Sequence, residues 1–430
     1  MGPLGIDILL QHITEHVSHW WADWQDFFTH LREADERAIA TVLLPYFRQH
    51  EMTARLLDDE GMMGYAEHIV GAKYTLLFAT RYDAEHPGAG LAIIPMCLTA
   101  LTTYQGVMGE LPANIKWLFG AKSVTERRLN TLINEQPTLL QADGCLWYEE
   151  QETALPMNYS PTLILGTKGK LAVELTVQTT QQALQAAYGA IVPNAAWRLV
   201  WALGSLKDVH EEVLLEGFYD TLVPLEDTAI EPLYTLPDTA AQLAQQWGLE
   251  QLLLGVRGFQ AHYAHLVTPT LTLTYVHGGD ATRPGQELLP TRAVAQIDFS
   301  LVPWQNPHAI FASLQQHLRM QGFPDIETHV LTTSSPAHTS PEDPFVRLVQ
   351  QASVIAYGRP LLTLPMMAES IPLAPLRRLA GMPVIIIPIP FSMQQLYIIH
   401  DQHVENIAGS LRQVAAIITD MPQLSQRSHQ

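Results

Sequence analysis

Residues 74–83 read YTLLFATRYD, an apolar, strand-forming run that ends in the charged residues Arg81 and Asp83. Near-continuous apolar runs are typical of strands that a parallel sheet buries on both faces. Open α/β sheets place their functional residues beyond the carboxyl ends of such strands. The stretch therefore predicts a core strand that carries Arg81 and Asp83 to a functional edge of the sheet.

Helical and strand patterns alternate on both sides of this stretch. Residues 6–50, 91–104 and 125–133 show the helical spacing of apolar residues. Short apolar runs that are typical of strands occupy residues 114–119 and 145–148. Because strands that alternate with helices indicate βαβ units, we expect an α/β fold with a largely parallel sheet.

A different pattern occupies the middle of the chain. Residues 170–179, 270–275 and 293–302 alternate apolar and polar side chains, as half-exposed antiparallel strands do. Helical patterns cover residues 194–203 and 309–320. This block therefore predicts an α+β domain with antiparallel strands.

The α/β pattern returns after a loop at residues 333–343 that is rich in Ser and Pro. Helical patterns at residues 345–357 and 405–419 flank a buried strand pattern at 382–389. We therefore predict a discontinuous α/β domain with an α+β domain inserted into it. The predicted boundaries are residues 1–162 plus 336–430 for the first domain and residues 163–335 for the second.

The composition excludes some classes of partner. Among the 430 residues, 43 are acidic and 24 are basic, which gives a formal net charge of −19. Nucleic acids and anionic membranes attract basic proteins, so we expect neither partner. The two cysteines, Cys97 and Cys145, are too few for a disulfide framework. Without a signal-peptide pattern or an apolar run of about 18 residues, the sequence predicts a cytoplasmic protein.

Several strings, in order along the chain, resemble the zinc-dependent exopeptidase family of carnosinase-type dipeptidases, carboxypeptidase G and succinyl-diaminopimelate desuccinylase. LLFATRYD lies where the family has an apolar strand that ends in His-Tyr-Asp. GELPANIKWLFGAKS resembles the family's GELPVNIKFLFEGEEEIGS, and LLQADGCLWYE resembles a strand that ends in a metal-binding Asp. LLPTRAVAQIDFSLVPWQNP, AESIPL and LYIIHDQHVEN resemble later segments of the family.

The resemblance implies the fold in more detail. It implies a zinc-peptidase-like mixed or parallel sheet sandwiched by helices, and an inserted α+β ferredoxin-like lid. In this family the lid often mediates dimers, so the resemblance also implies a homodimer through residues 163–335.

The family holds two zinc ions with His nitrogens and carboxylates, and uses a separate Glu as general base. The first metal His falls on Arg81, whose guanidinium has no lone pair to donate. Asp83 is retained, and we predict that it forms an ion pair with Arg81. The segment that should carry the general base reads Gly120-Ala121-Lys122 and lacks a carboxylate.

The remaining family positions are partly retained. The next metal carboxylate falls on Glu149 and the last metal His on His400, so the vestigial positions are Arg81, Asp83, Glu149 and His400. The bridging Asp is missing, although Glu85 or His86 could approach the site. The lid His is absent from residues 182–186. Ser300 replaces an Arg that can bind a substrate carboxylate, and Glu369 replaces a Gly.

Three functional hypotheses follow. In the leading one, the protein is catalytically inactive, has no metal or other cofactor, and serves as a ligand-binding protein or dimer scaffold. Its pocket would bind a small anionic molecule or a peptide, and is formed by Arg81, Lys122, Glu369, Ser370 and His400. In the second, it is an active hydrolase of dipeptides or N-acyl amino acids, with zinc on a rebuilt site that includes Glu149 and His400. In the third, it is a structural subunit whose acidic surface binds a basic partner.

Overall fold

The computed structural model describes residues 3–32, 36–83, 88–150, 161–279, 288–379, 381–389 and 401–424. The helices are α1 (Pro3–Arg32), α2 (Glu36–Gln49), α3 (Gly88–Met108), α4 (Glu126–Glu135), α5 (Ala195–Leu206), α6 (Asp227–Tyr234), α7 (Ala240–Gln246), α8 (Gly258–Val267), α9 (Pro307–Met320), α10 (Pro344–Tyr357), α11 (Ala374–Arg378) and α12 (Asp401–Asp420). The strands are β1 (Thr53–Leu56), β2 (Met63–His68), β3 (Thr75–Tyr82), β4 (Asn114–Ala121), β5 (Gly144–Glu149), β6 (Thr162–Ile164), β7 (Gly166–Thr167), β8 (Gly169–Gln178), β9 (Leu184–Gln185), β10 (Thr270–Gly278), β11 (Leu288–Leu289), β12 (Arg292–Leu301), β13 (Glu327–Ser334), β14 (Ala337–His338), β15 (Leu362–Leu364) and β16 (Val384–Pro388).

The larger sheet has eight strands in the order β1-β2-β4-β3-β5-β16-β6-β15. Strands β4, β3, β5 and β16 are parallel to one another, whereas β1, β2 and the β16–β6 contact are antiparallel. The sheet is therefore mixed with a parallel centre, which confirms the predicted α/β class. The opening stretch forms β3, which lies between β4 and β5.

Strand β3 is buried on both faces, and its alternate side chains enter two different cores. Leu76 and Phe78 pack into the cluster that α1, α3, α10 and α12 form on one face. Leu77 and Ala79 pack into the cluster on the other face, where α4 and α11 lie. Because side chains alternate along a strand, Arg81 points to the same face as Leu77 and Ala79.

Helix α3 corrects one expectation. Its residues Gly90–Met108 form a segment of 19 residues with a mean hydropathy of 1.4, which is long and apolar enough to cross a membrane. The prediction that no segment reaches this length is therefore wrong. In the structure 61% of the apolar stretch is buried, and α3 packs against α1, α12 and β3.

The smaller sheet has four antiparallel strands in the order β10-β12-β8-β13. Helices α5 and α9 cover one face, where Leu199 and Leu314 pack on Val173 and Ile297. Asn194 and Asn306 cap the two helices by accepting hydrogen bonds from backbone N–H groups of the first turn. The connection order is that of a ferredoxin-like fold, as predicted for the inserted block. We call this unit the lid and the eight-stranded unit the base.

The stretch between α5 and β10 does not all belong to the core of the lid. Helices α6, α7 and α8 lie in this stretch, and α6 packs against β15 of the base. Leu233 and Leu266 are buried in the same cluster as Leu364 and Ile386 of the larger sheet. The inserted sequence therefore contributes to the core of the lid and to one of the two cores of the base.

Candidate functional site: a cleft lined by ion pairs

A cleft of about 390 Å³ lies where the carboxyl ends of β3, β4 and β5 face the lid. Arg81 comes from β3, Lys122 follows β4, and Glu149 ends β5. The base also contributes Glu150, Glu369 and Ser370, and the lid contributes Lys170, Asp298 and Ser300. Four of the five predicted pocket residues, namely Arg81, Lys122, Glu369 and Ser370, thus line one cleft. The fifth, His400, lies outside the described residues.

The central feature of this cleft is a two-point contact between Arg81 and Glu149. Arg81 Nε donates to Glu149 Oε2 at 3.1 Å, and Arg81 Nη2 donates to Oε1 at 2.9 Å. Trp147 Nε1 also donates to Oε2, at 2.7 Å. The Glu149 side chain is only 4% exposed and that of Arg81 15%. Both carboxylate oxygens therefore have charged or strong donors, as in a well-formed buried pair.

The strand register accounts for this contact. In the parallel β3–β5 pair, Ala79 lies opposite Trp147 and Thr80 opposite Tyr148. One residue further on, Arg81, the next-to-last residue of β3, lies beside Glu149, the last residue of β5. Since alternate residues share a face, Trp147 lies on the same face as Glu149 and reaches its carboxylate. Two hydrophobic strands in register thus bring a cation and an anion together.

The start of α3 packs closely behind Arg81. A Cβ atom on Gly90 would lie 1.9 Å from the backbone oxygen of Arg81. The Thr80 hydroxyl donates to the Gly90 carbonyl at 2.7 Å. Because only glycine leaves room for this approach, the backbone at Arg81 is held firmly against α3.

The predicted ion pair between Arg81 and Asp83 is wrong. Asp83 Oδ2 instead lies 3.6 Å from Lys122 Nζ. The backbone N–H of Lys122 donates to the Tyr82 carbonyl at 2.8 Å, which places Lys122 beside the end of β3. Arg81 points along the sheet face toward Glu149, whereas Asp83 lies beyond the strand, next to Lys122.

A third ion pair forms the lid side of the cleft, where Lys170 Nζ lies 3.1 Å from Asp298 Oδ2. The charged lining residues are three cations and four carboxylates, namely Arg81, Lys122, Lys170, Glu149, Glu150, Asp298 and Glu369. This balance is slightly negative. Among the lining residues that the structure describes, charges of the two signs nearly balance, and the small anionic ligand expected from Arg81 and Lys122 stays a prediction.

The residues that the structure describes do not by themselves fit the two zinc ions that the resemblance implies. Arg81 has no lone pair, and its guanidinium occupies both oxygens of Glu149. Lys122 follows β4 where a carboxylate would be needed. Among the residues that the structure describes, no group of three or more His, Cys, Asp or Glu is placed to hold a metal. Glu85, His86 and His400 lie outside that part of the chain.

Sequence reasoning missed three charged residues of the cleft, namely Glu150, Lys170 and Asp298. Asp298 and Ser300 are two residues apart on β12, so strand alternation puts them on one face. That signal could have placed Asp298 in the cleft. Lys170 could have been found only from its cross-strand position near Asp298.

Comparisons with known proteins agree with this two-unit architecture. Residues 165–325 match the family model described as the peptidase dimerisation domain. The Beta-Ala-His dipeptidase of Rattus norvegicus is 20% identical over 232 residues, and that of Homo sapiens is 22% identical. Each match covers 51% of this chain but only 45% and 44% of those proteins. The match thus spans less than half the length of these curated relatives.

Solved structures match over nearly the whole chain. An M20 family metallo-carboxypeptidase from Sulfolobus solfataricus has a TM-score of 0.75 at 24% identity, over 90% of this chain and 99% of its own. Human carnosine dipeptidase 1 has a TM-score of 0.73 at 16% identity, over 96% and 99%. The fold is thus an exopeptidase fold with an inserted dimerisation domain. This similarity to M20 peptidases, in the fold and in the dimerisation-domain match, confirms the resemblance seen in the sequence.

Proposed function

We propose that this protein is a non-catalytic relative of the M20 peptidases that binds a small polar molecule in the cleft between base and lid. The observation that carries the proposal is the contact between Arg81 and Glu149. It places the permanently charged guanidinium of Arg81 on Glu149, which lies at the sequence position of a metal ligand in the family.

Energetic reasoning supports this proposal. A zinc ion on Glu149 would have to displace Arg81 from a carboxylate that is 4% exposed. A buried charge left without its partner costs about 3–5 kcal/mol, so the displaced guanidinium of Arg81 would need a new partner. Even if Arg81 moved, Gly120-Ala121-Lys122-Ser123 offers no carboxylate to act as general base on a bound water.

The lining suggests the class of ligand. Charges of both signs line the cleft, which suits a molecule that carries both an ammonium and a carboxylate, such as a short peptide. The Ser370 hydroxyl is buried and makes no hydrogen bond with the residues described here. A ligand in the cleft would reach this hydroxyl only after the Ser370 side chain rotates.

Metal analysis and an activity assay test the proposal together. After incubation with zinc and removal of the excess, we expect less than one zinc per chain by mass spectrometry. We also expect no hydrolysis of a panel of dipeptides and N-acyl amino acids. Two tightly bound zinc ions with hydrolysis of any panel member would overturn the proposal in favour of a rebuilt zinc site.

The lid also supports a homodimer. Trp197 and Trp201 stack at 5.8 Å on the outer face of α5, and both are more than half exposed. Beside them, β10 forms an edge of the smaller sheet and exposes Leu273, Tyr275 and Val276. An exposed apolar edge strand is a template for pairing with another strand. We propose that a second copy of the chain covers this surface, which we call the α5–β10 surface.

A further inference from the structure

The strap, defined as residues 225–267, leaves the lid after residue 224 and returns to it at β10. It contains α6, α7 and α8. The buried cluster of the lid, formed by α5, α9 and the smaller sheet, includes none of the described strap residues. The strap instead packs on the base.

Apolar side chains attach the strap to the base. Leu233 and Leu266 are 0% and 3% exposed and lie in the cluster beneath the larger sheet. Ile230, Phe259 and Tyr263 pack against the same cluster from its border. Burying a leucine side chain contributes about 1.5–3 kcal/mol, so this contact is a substantial attachment.

The strap is internally cross-linked, so the attachment of one helix restrains the others. Asp238 Oδ1 accepts hydrogen bonds from the N–H groups of Ala240 and Gly258, both at 3.1 Å. The rings of Tyr234 and Phe259 stack at 3.9 Å and join α6 to α8. The strap therefore behaves as one compact unit.

Polar contacts fix both ends of the strap. At its start, the Ser340 hydroxyl lies 3.1 Å and 3.3 Å from the two carboxylate oxygens of Glu226. Immediately after its end, Lys168 Nζ donates to the Thr268 carbonyl at 2.7 Å, and Lys168 is only 3% exposed. Lys168 lies on the first of the two segments that connect base and lid, directly before β8.

The second connecting segment is also attached to the base, by contacts among Glu126, Ser335 and Arg378 that we call the Glu126 clamp. Glu126 on α4 accepts from the Ser335 hydroxyl at 3.0 Å and from its backbone N–H. Arg378 Nη2 donates to the same carboxylate at 2.9 Å. Ser335 follows β13, so this contact ties the exit of the lid to two helices of the base.

We infer that the strap and the Glu126 clamp hold the lid in one orientation over the cleft, so that a ligand enters without a swing of the lid. The lid is attached at both connecting segments and at both ends of the strap. A hinge motion would have to separate Leu233 and Leu266 from the core of the base. This inference concerns the geometry of the cleft and stands whether or not the proposed ligand is correct.

Pulsed electron spin resonance tests the inference on the full chain. Nitroxide labels at Asn134→Cys on α4 and Gln316→Cys on α9 report the distance between base and lid, and both positions are exposed. The native Cys97 and Cys145 are buried and stay unlabelled. Because a dimer would add distances between protomers, the labelled chain is diluted with excess unlabelled chain, and we expect one narrow distribution for the distance within a chain.

Two variants connect the result to the strap. Leu233→Ala removes the anchor that is 0% exposed, and should broaden the distribution at least twofold. Leu253→Ala, in the same strap but 65% exposed, is the matched control and should leave the width unchanged. If Leu233→Ala does not fold, Tyr263→Ala is used in its place, and it should also broaden the distance distribution.

Two outcomes would overturn the inference. One is a broad or two-peaked distribution of the distance within a chain whose strap is unmodified. This outcome can be seen without any strap variant. The other is an unchanged width in a folded Leu233→Ala or Tyr263→Ala protein, with folding established by circular dichroism.

Discussion

Arg81, near the end of β3, donates two hydrogen bonds, of 3.1 and 2.9 Å, to the carboxylate of Glu149 at the end of β5. The contact joins two adjacent central strands of the larger sheet at the edge where the cleft opens. It also supplies a buried carboxylate with a positive charge that belongs to the chain itself. The stability of the sheet and the chemistry of the cleft therefore depend on the same pair.

Arg81→Met should strongly destabilise the protein. The substitution leaves Glu149 buried without its cation, and removal of one partner of a buried pair costs about 3–5 kcal/mol. Urea denaturation measures the free energy of unfolding directly. Arg127→Met, an exposed arginine on α4, is the matched control and should change it by less than about 0.5 kcal/mol. A loss below about 1 kcal/mol in Arg81→Met would contradict the role given to the pair.

Arg81→His should create a weak response to zinc without creating an enzyme. The imidazole supplies one nitrogen donor beside a released Glu149 carboxylate, and two donors hold zinc poorly. We expect zinc to raise the melting temperature of Arg81→His by a few degrees and that of Arg81→Gln, which lacks the ring nitrogen, not at all. Hydrolysis of a dipeptide by Arg81→His would show that a general base is present after all.

Charge on the α5–β10 surface should separate the dimer. Trp197→Glu combined with Trp201→Glu places two carboxylates where apolar rings would be buried against a second copy. Light scattering after size exclusion should give twice the chain mass of 47.9 kDa for the unmodified protein and the single mass for the variant. Trp247→Glu, on the strap and 52% exposed, should leave the dimer intact. A monomeric unmodified protein would refute the proposed dimer.

Acid should destabilise the protein through His338. Burial, with a contribution from the positive charge of Arg377, lowers the pKa of His338 from 6.5 to about 4. Between pH 6.5 and 4 the unfolded chain takes up a proton that the folded chain does not, so stability falls as the pH falls. The full effect is about 3 kcal/mol. The His338→Gln variant should lose less stability over this range, as measured by urea denaturation at each pH. Parallel losses in both proteins would argue against this assignment.

Much of the fold could be predicted because long apolar runs carry strong periodic signals. Residues 74–83 predicted β3 to within a residue or two, and the alternating stretches 170–179 and 293–302 predicted β8 and β12. Strands β1, β2, β6, β13 and β15 are among those that were missed, and β1 and β13 show one reason. Their sequences, TARL and ETHVLTTS, are short or polar because both strands lie at sheet edges and expose many side chains.

The residues that line the cleft could be predicted better than the contacts between them. The ends of strands meet at one sheet edge, so the order of motifs was enough to gather Arg81, Lys122 and Glu369. The partner of Arg81 depends on the lateral register of β3 and β5, because a long guanidinium side chain can reach several carboxylates. The packing of the strap on the base is likewise tertiary, and apolar periodicity does not say which of two cores a helix joins.

A cation that is part of the polypeptide cannot be chelated, diluted or exchanged. In proteins that fold around a metal, the binding free energy is part of the folding free energy, so stability follows the supply of that metal. Here the charge that pairs with Glu149 belongs to Arg81, which is synthesised as part of the same chain. The stability of this sheet edge should therefore be the same in zinc-rich and zinc-starved surroundings.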